Sequence, residues 1–387
     1  MRDESPPDHD DIVYPGPIPF LLAHLVCLGA IWTGVPASTV AIAVGLYVTR
    51  MIAVTAGYHR YFSHRSFKTS RVGQFVLALV AQSAAQRGVL WWAAKHRHHH
   101  RHSDTELDVH SPRHRGFWYA HLGWIFHPQH HDTDYELVAD LARYPELRLL
   151  DRHQYAPAVV LAVGVWLVAG WPGLIVGFFW STVALYHGSF MINSLAHVHG
   201  SQRYVTGDDS RNNFWLALFT MGEGWHNNHH AYQRSTRQGF RWWEVDVTFY
   251  VLTVLSWMRV VWDLGTPPPD LVRNERPLGR AVIEKVARQL AASFPAEQLA
   301  AEIRATLAAS PRLQELAARV REAREHVADW ASHVQLPHLP TLDELRERAE
   351  AMYAESPSMD EIVARAREVL TERVSLYLLQ MEGLATA

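Results

Sequence analysis

Long apolar stretches alternate with polar, histidine-rich stretches through the first 270 residues of the chain. The apolar stretches form two pairs, each joined at a proline: 20–35 with 38–57 at Pro36, and 156–171 with 173–192 at Pro172. Each is close to the ~17–25 residues that a transmembrane helix requires, with the first and third at the short end. Buried helices of a large soluble core are the alternative, but two nearly charge-free pairs with minimal turns favour membrane hairpins.

Basic residues are distributed unevenly around these stretches. The turns at Pro36 and Pro172 carry no Lys or Arg, whereas the loop 58–155 and the segment after residue 200 are rich in them. By the positive-inside rule, both termini and the long loop lie on the cytoplasmic side. This orientation places every histidine cluster on one face of the membrane, which we expect to be the cytoplasmic membrane of a bacterium.

A fifth apolar segment, residues 72–86, is interrupted by Gln74, Gln82 and Gln86. These glutamines favour an interfacial or buried helix over a further span. The pattern therefore predicts an all-α, multi-pass integral membrane protein. It has four transmembrane helices in two hairpins, and a cytosolic helical cap that carries the histidines.

The two ends of the chain differ in character from this central part. Residues 1–19 are acidic and proline-rich, which predicts a mobile arm; without a preceding basic region, a cleaved signal peptide is not expected. Residues 20–272 form the predicted membrane domain. Residues 273–387 show helical spacing without long apolar runs, including a predicted capping box of Thr341 with Glu344. They predict a cytoplasmic helical extension used for packing or oligomerisation.

Composition excludes several kinds of chemistry. The net charge of -3 argues against a nucleic-acid partner. Cys27 is the single cysteine, which excludes a disulfide framework, a cysteine-ligated zinc site and an iron–sulfur cluster. Any redox chemistry must therefore draw its electrons from another protein or from a bound cofactor.

The histidines concentrate in three short stretches. They are His59 with His64, then His96, His99 and His100, then His226, His229 and His230. The last two stretches share the spacing H-x-x-H-H, whose positions i, i+3 and i+4 lie on one face of a helix; His98 points elsewhere. Eight clustered imidazoles exceed what one ion binds, so two metal ions are expected. Zinc, iron, copper and nickel all accept imidazole, and the spacing does not choose between them.

At this point the sequence resembles a known family. The stretches AGYHRYFSHRSFK, WWAAKHRHHHRHSDTELDVHSPRHRGFWYAHLGWIF, NSLAHVHG and GEGWHNNHH are similar to those of the membrane-bound fatty acid desaturase superfamily. Within it, the chain looks like the acyl-CoA Δ9 (stearoyl-CoA) desaturases, of bacterial type, over residues 15–265. The resemblance implies two irons that activate O2 to insert a cis double bond into a long acyl chain. It also implies a ninth ligand, His197, and a water-linked ligand, Asn193.

The resemblance further implies a bent apolar tunnel for the substrate. Gln86 and Trp92 match family residues that line its kink, although an interfacial aromatic is the alternative for Trp92. Ser189 and Phe190 stand where the animal enzymes have Thr and Trp, so chain length and double-bond position stay open. The motif match favours CoA as the acyl carrier, with a carrier protein or a membrane lipid as alternatives.

Several further roles are expected around this site. Asp104, Glu106, Asp108 or Glu223 could accept the free N–H of a metal-bound histidine. Arg97 could meet an anionic substrate headgroup or simply follow the positive-inside rule. The electron donor is a separate protein, ferredoxin-like or cytochrome b5-like with a reductase. A di-iron hydroxylase of an alkane, lipid or sterol is the alternative within the superfamily. A metal transporter is disfavoured because the apolar stretches are almost free of charged residues.

Overall fold

The computed structural model describes residues 17–309 and 339–381, which form two compact units. The first unit comprises the described residues up to Arg203 together with Asp208–Val272, and the second comprises Tyr204–Gly207 with the described residues from Arg273 on. Most of the expected N-terminal arm, residues 1–16 of 1–19, lies outside the described residues.

The first unit is mostly helical, with one sheet of two short strands. Its elements before the second apolar pair are α1 Ile18–Cys27, α2 Ala30–Thr33, α3 Ala37–Ala53, π1 Val54–Ser63, β1 Lys68–Thr69, α4 Arg71–Gln82, α5 Val89–His102, α6 Pro112–Arg115, α7 Phe117–His121, 3-10 turns Gly123–Phe126 and Pro128–His130, α8 Ala139–Ala142 and α9 Pro145–Arg152. They are followed by α10 Ala156–Pro172, π2 Gly173–Trp180, α11 Ser181–Asn193, a 3-10 turn Leu195–His197, α12 Phe214–Phe219, α13 His226–Ala231, α14 Val247–Trp257, β2 Val261–Trp262 and α15 Pro269–Val272.

Two continuous helical stretches among the described residues are long and apolar enough to cross a membrane. They are Ala37–Ser63, with 27 residues, and Ala156–His197, with 42 residues. The first apolar stretch, Ile18–Thr33, is shorter than these two and spans about 24 Å at 1.5 Å per residue. Buried Arg50 ties the two long stretches together, since its guanidinium donates to Ser181 Oγ at 2.5 Å and Thr182 Oγ1 at 2.8 Å.

The second long stretch reverses direction near its middle. Gly170 has φ 61° and ψ −157°, a conformation that glycine tolerates and other residues rarely adopt. Beyond it, a γ carbon of Val165 lies 3.5 Å from where a Cβ on Gly177 would sit, so α10 packs back on π2. The break therefore falls at Gly170, two residues before the expected Pro172.

Helix α4 covers most of the fifth apolar segment. It buries polar side chains and exposes apolar ones. Gln74 and Gln82 are buried, and Gln82 Nε2 donates to the Leu150 carbonyl at 3.0 Å. Val72, Val76 and Leu79 are exposed on the other side. A helix of 12 residues with this arrangement fits the expected interfacial or buried helix.

The second unit consists of helices around its own apolar core. They are α16 Arg280–Ala292, α17 Ala296–Ala309, α18 Leu342–Met352 and α19 Met359–Met381. Ile283, Leu290, Leu345 and Ile362 pack together in this core. The predicted capping box is confirmed at the start of α18, where Thr341 and Glu344 each bond to the other's backbone N–H.

Candidate metal centre

Nine histidines from four segments of the first unit converge. His59 lies in π1 and His64 directly after it. Helix α5 carries His96, His99 and His100, and the turn Leu195–His197 carries His197. Helix α13 carries His226, His229 and His230. Six of the nine are buried, and His64, His96 and His100 are half-buried. These are the nine histidines that the sequence and the family resemblance single out as ligands.

The π-helix explains how two histidines five positions apart reach one place. In a π-helix the backbone bonds run from i to i+5, and here the His64 N–H donates to the His59 carbonyl at 3.2 Å. The two rings consequently lie 4.9 Å apart between centroids. An ordinary α-helix would instead have turned His64 well away from His59.

The nine histidines divide into two sets, each with its ligand atoms within 4.8 Å of one another. The five-histidine group is His59, His64, His96, His100 and His229. The four-histidine group is His99, His197, His226 and His230. Facing Nε2 atoms are close in both: 3.0 Å between His59 and His229, and 3.0 Å between His197 and His226.

Each H-x-x-H-H motif is shared between the two groups. Helix α5 gives His96 and His100 to the five-histidine group and His99 to the four-histidine group, and α13 divides its three in the opposite way. Neighbouring positions on a helix are turned by about 100°, so a helix between two sites serves both. The spacing predicted that the three histidines of each motif lie on one face of a helix. It did not predict that each motif is divided between the two groups.

Carboxylates hold the outer nitrogens of several of these rings. His99 Nδ1 lies 2.9 Å from Asp108, His197 Nδ1 lies 2.8 Å from Asp104, and His59 Nδ1 contacts Glu223 directly. These three acids were among the sequence candidates, whereas Glu106 is exposed. An N–H bond to a carboxylate fixes the tautomer and directs Nε2 inward, as in many metal sites.

Two supporting residues escaped the sequence reasoning. Asp208 lies 2.8 Å from His230 Nδ1. The Nε2 of Gln238 lies 3.3 Å from His59 Nδ1 and 3.5 Å from His229 Nδ1. Both are distant in sequence from most of the histidines, and no local motif marks either of them.

The charges of the carboxylates are set by the imidazoles they face. Burial by itself raises the pKa of the Asp104 and Asp108 carboxyls, but their partners His197 and His99 outweigh it, and both pKa values fall below the ordinary range. The pKa of Asp208 is lowered in the same way by His230. These side chains are therefore anions that accept the Nδ1 protons.

Two inner nitrogen atoms of the four-histidine group are suited to bind a metal ion. His99 Nε2 and His230 Nε2 are buried without a hydrogen-bond partner, although the Nδ1 atoms of both rings are engaged. A buried lone pair without a partner costs free energy, and a bound cation removes that cost. Imidazole Nε2 atoms directed at a common point are suitable ligands for zinc, iron, copper or nickel.

Two arginines brace the segments that carry the histidines. Arg60 in π1 is buried between Glu223, at 3.0 Å, and Asp246, at 2.9 Å. Arg97 in α5 donates to the Phe62 carbonyl at 2.8 Å and to Asp140 Oδ1 at 2.6 Å. Arg97 therefore braces α5 within the protein, a role that neither of the two sequence alternatives had offered.

An apolar cavity of about 990 Å³ lies beside the five-histidine group. The sequence-predicted substrate residues Gln86, Trp92, Ser189 and Phe190 all line it, and so does Asn193 at the end of α11. Gln86 Nε2 donates to Ser189 Oγ at 2.9 Å. The ring of Trp92 stacks on His96 with centroids 4.9 Å apart, so one aromatic side chain touches both the cavity and the histidines.

Other histidines near these groups have different surroundings. His98 Nε2 lies 2.9 Å from the Leu107 carbonyl, and its ring packs on His102 with centroids 4.7 Å apart. His110 lies beside His99, with 4.3 Å between ring centroids, and forms with it and Asp108 a smaller candidate set of ligands.

Comparison with known proteins identifies the class to which this fold and site belong. Residues 31–253 match the family model of the fatty acid desaturases, and the chain belongs to that family.

Its relatives differ in substrate and in the position of the double bond. An acyl-CoA 5-desaturase of Anemone leveillei is 37% identical over 252 residues, covering 63% of this chain and 77% of that protein. An sn-1 stearoyl-lipid 9-desaturase of Anabaena variabilis is 36% identical over 243 residues, covering 61% and 88%. A chloroplastic palmitoyl-monogalactosyldiacylglycerol delta-7 desaturase of Arabidopsis thaliana is 36% identical over 237 residues, covering 59% and 62%.

Proposed function

We propose that this chain is an O2-dependent desaturase that inserts a cis double bond into a saturated long-chain acyl group, at C9 by resemblance. The observation that carries the proposal is the position of Trp92, which lines the apolar cavity and stacks on a histidine of the five-histidine group. A long acyl chain in this cavity would lie beside the metal centre. The relatives named above are acyl-CoA and acyl-lipid desaturases, which favours desaturation over hydroxylation.

Each histidine group would hold one iron ion, with Asn193 as a further ligand through a water molecule. The pair of irons supplies the oxidising power that an unactivated C–H bond requires, because such a bond offers no acidic or polar handle for acid–base catalysis. Overall, two hydrogens leave adjacent methylene groups, and O2 takes up two external electrons and two protons, so the products are the alkene and two water molecules.

The chain's own residues position the substrate. The cavity walls exclude water and hold the acyl chain, while the bond between Gln86 and Ser189 fixes one wall near the reacting carbons. Phe190 and Trp92 add aromatic surface on either side. Holding the correct methylene groups near the metal centre is the protein's main contribution to selectivity.

The membrane arrangement is also a proposal. Two long apolar helices and the reversal at Gly170 support two hairpins and a multi-pass topology. We place both termini and the histidines on the cytoplasmic side of a bacterial membrane. We divide the chain into an arm 1–19, a desaturase domain 20–272 and a C-terminal helical extension 273–387. Electrons would come from a separate ferredoxin-like or cytochrome b5-like protein.

Expression in a host without its own desaturase tests this function. Mass spectrometry of the fatty acids should reveal a new cis-monounsaturated acid and locate its double bond. The His229→Ala variant, which lacks one ligand of the five-histidine group, should yield none. An alcohol in place of an alkene would favour the hydroxylase alternative, and full activity in His229→Ala would contradict the ligand assignment.

A further inference from the structure

The cavity beside the five-histidine group runs along one face of α10. Its lining positions on this helix before the break at Gly170 are Ala158, Val159, Ala162, Val163 and Trp166. They recur at the spacing of a single helical face and cover about 12 Å of helix length. Pro19, Phe20 and Ala23 of α1 line the cavity as well, while π2 and α11 supply much of the remaining wall.

The two walls differ sharply in exposure. On α10, Val159 is 58% exposed, Val163 48% and Trp166 40%, whereas Phe178 and Phe190 on the opposite wall are 5% and 8% exposed. The exposed lining continues to Tyr155, just before α10, and to Trp171, after the break at Gly170 within the helix. The cavity is therefore a groove with an open side along α10, and its opening is not confined to one end.

The open side faces the hydrocarbon region in the proposed topology. Helix α10 begins the longer of the two apolar stretches that could cross a membrane. Exposed Val and Trp side chains on such a helix contact lipid chains. An acyl chain that is anchored in the bilayer by its headgroup can enter such a groove sideways, whereas a tunnel closed along its length admits a chain only from its end.

The polar end of the groove offers little for a phosphorylated nucleotide. Among the described residues that line the cavity, Arg87 is the one Arg or Lys. Its guanidinium already lies over the Trp91 ring, at 5.0 Å, and donates to the carbonyls of Ile125 and His131. Recognition of several phosphates normally uses a cluster of Arg and Lys side chains. The other polar lining groups, such as Gln154 and Tyr155, are uncharged.

We propose that the acyl group is presented to this enzyme as part of a membrane glycerolipid, which enters the groove laterally between α1 and α10. This inference rests on the proposed desaturase function and names its substrate class. The acyl chain lies along α10 with its reacting carbons near Trp92, and its headgroup stays at the membrane surface. Coenzyme A is not required at any point.

A single-turnover experiment separates the two acyl carriers without the natural electron donor. The full-length, metal-loaded protein is reduced without O2, freed of excess reductant and placed in vesicles. One set of vesicles contains phosphatidylcholine with labelled stearoyl chains. The other contains dioleoyl phosphatidylcholine with labelled stearoyl-CoA. O2 is then admitted, and intact lipids and acyl-CoA are analysed by mass spectrometry.

Labelled double bonds should form in phosphatidylcholine at a level at least about tenfold above that in stearoyl-CoA. Product in stearoyl-CoA alone would overturn the glycerolipid inference and leave the desaturase function intact. Product in neither pool, from protein with full metal content, would contradict both.

A matched pair of substitutions tests the lateral entry. Val159→Trp narrows the groove, because Val159 lines it, whereas Val160→Trp places the same bulk at the next position, which is 72% exposed and does not line it. Val159→Trp should reduce phosphatidylcholine desaturation about tenfold while its metal content stays unchanged. Val160→Trp should behave like the unsubstituted protein. Equal activity of the two variants would overturn entry along α10.

Discussion

The five-histidine and four-histidine groups present the same kind of ligand atom, yet different side chains lie behind them. In the four-histidine group, three rings are backed by carboxylates: His99 by Asp108, His197 by Asp104 and His230 by Asp208. In the five-histidine group, Glu223 backs His59, and the neutral amide of Gln238 lies near His59 and His229.

This difference matters because a carboxylate behind an imidazole makes the ring a stronger donor to a cation. Three anions close to one site and one anion close to the other should give the two positions unequal affinities. The four-histidine position should hold its ion more tightly. The five-histidine position, which touches Trp92 and hence the cavity, should be the more labile one.

Removing one ligand from each group is the most severe test of the comparison. His229→Ala and His230→Ala should each lower the metal content of the purified protein from about two ions to about one. Desaturation should fall by more than the roughly 10–100-fold that loss of a supporting residue costs. Metal analysis and fatty acid analysis measure the two effects, and His98→Ala is the control because His98 lies outside both groups. Two retained ions in His230→Ala would refute the four-histidine site.

Removing one carboxylate tests the source of the proposed inequality. Asp208→Asn keeps the size of the side chain but removes the anion behind His230, so metal affinity at the four-histidine position should fall about 10–100-fold. Affinity at the other position should not change. Calorimetric titration of metal-free protein measures both. Asp209→Asn is the matched control, because the Asp209 side chain pairs with Arg113. Equal effects of the two variants would remove the basis of the comparison.

The sequence predicted the ligands better than their arrangement. The histidine motifs and the family resemblance pointed to all nine rings, because these motifs are local in sequence. How α5 and α13 exchange His99 and His229 between the groups depends on how the helices sit against each other, and spacing within one helix carries no such information. The spacing of His59 and His64 likewise does not reveal the π-helical turn that brings their rings together.

The fold shows the same limit. Apolar patterning located the long helices, and the capping box at Thr341 was correct because it depends on four consecutive residues. The reversal point was placed at Pro172, whereas Gly170 makes the turn and Pro172 belongs to the end of α10. Asp208 and Gln238 were missed since their partners lie many residues away, and no local pattern marks such contacts.

Chelation compares the two positions in the unsubstituted protein. If the five-histidine position is the more labile, a chelator should remove metal in two phases, with rates that differ about tenfold. Metal content followed over time measures this difference. The fast phase of metal loss should be missing in His229→Ala. The slow phase should be missing in His230→Ala. A single phase that removes both ions together would show that the carboxylates do not distinguish the sites.

The smallest expected effect comes from Gln238, which serves the five-histidine group without a charge. Its Nε2 donates to Glu223 Oε2 at 3.4 Å, so it supports the carboxylate that backs His59. Gln238→Leu removes bonds worth about 1 kcal/mol, and metal affinity at the five-histidine position should therefore fall about fivefold. Titration should reveal no change at the four-histidine position, and exposed Gln298→Leu is the control. A loss as large as that of Asp208→Asn would mean that a neutral amide supports a ligand as well as an anion does.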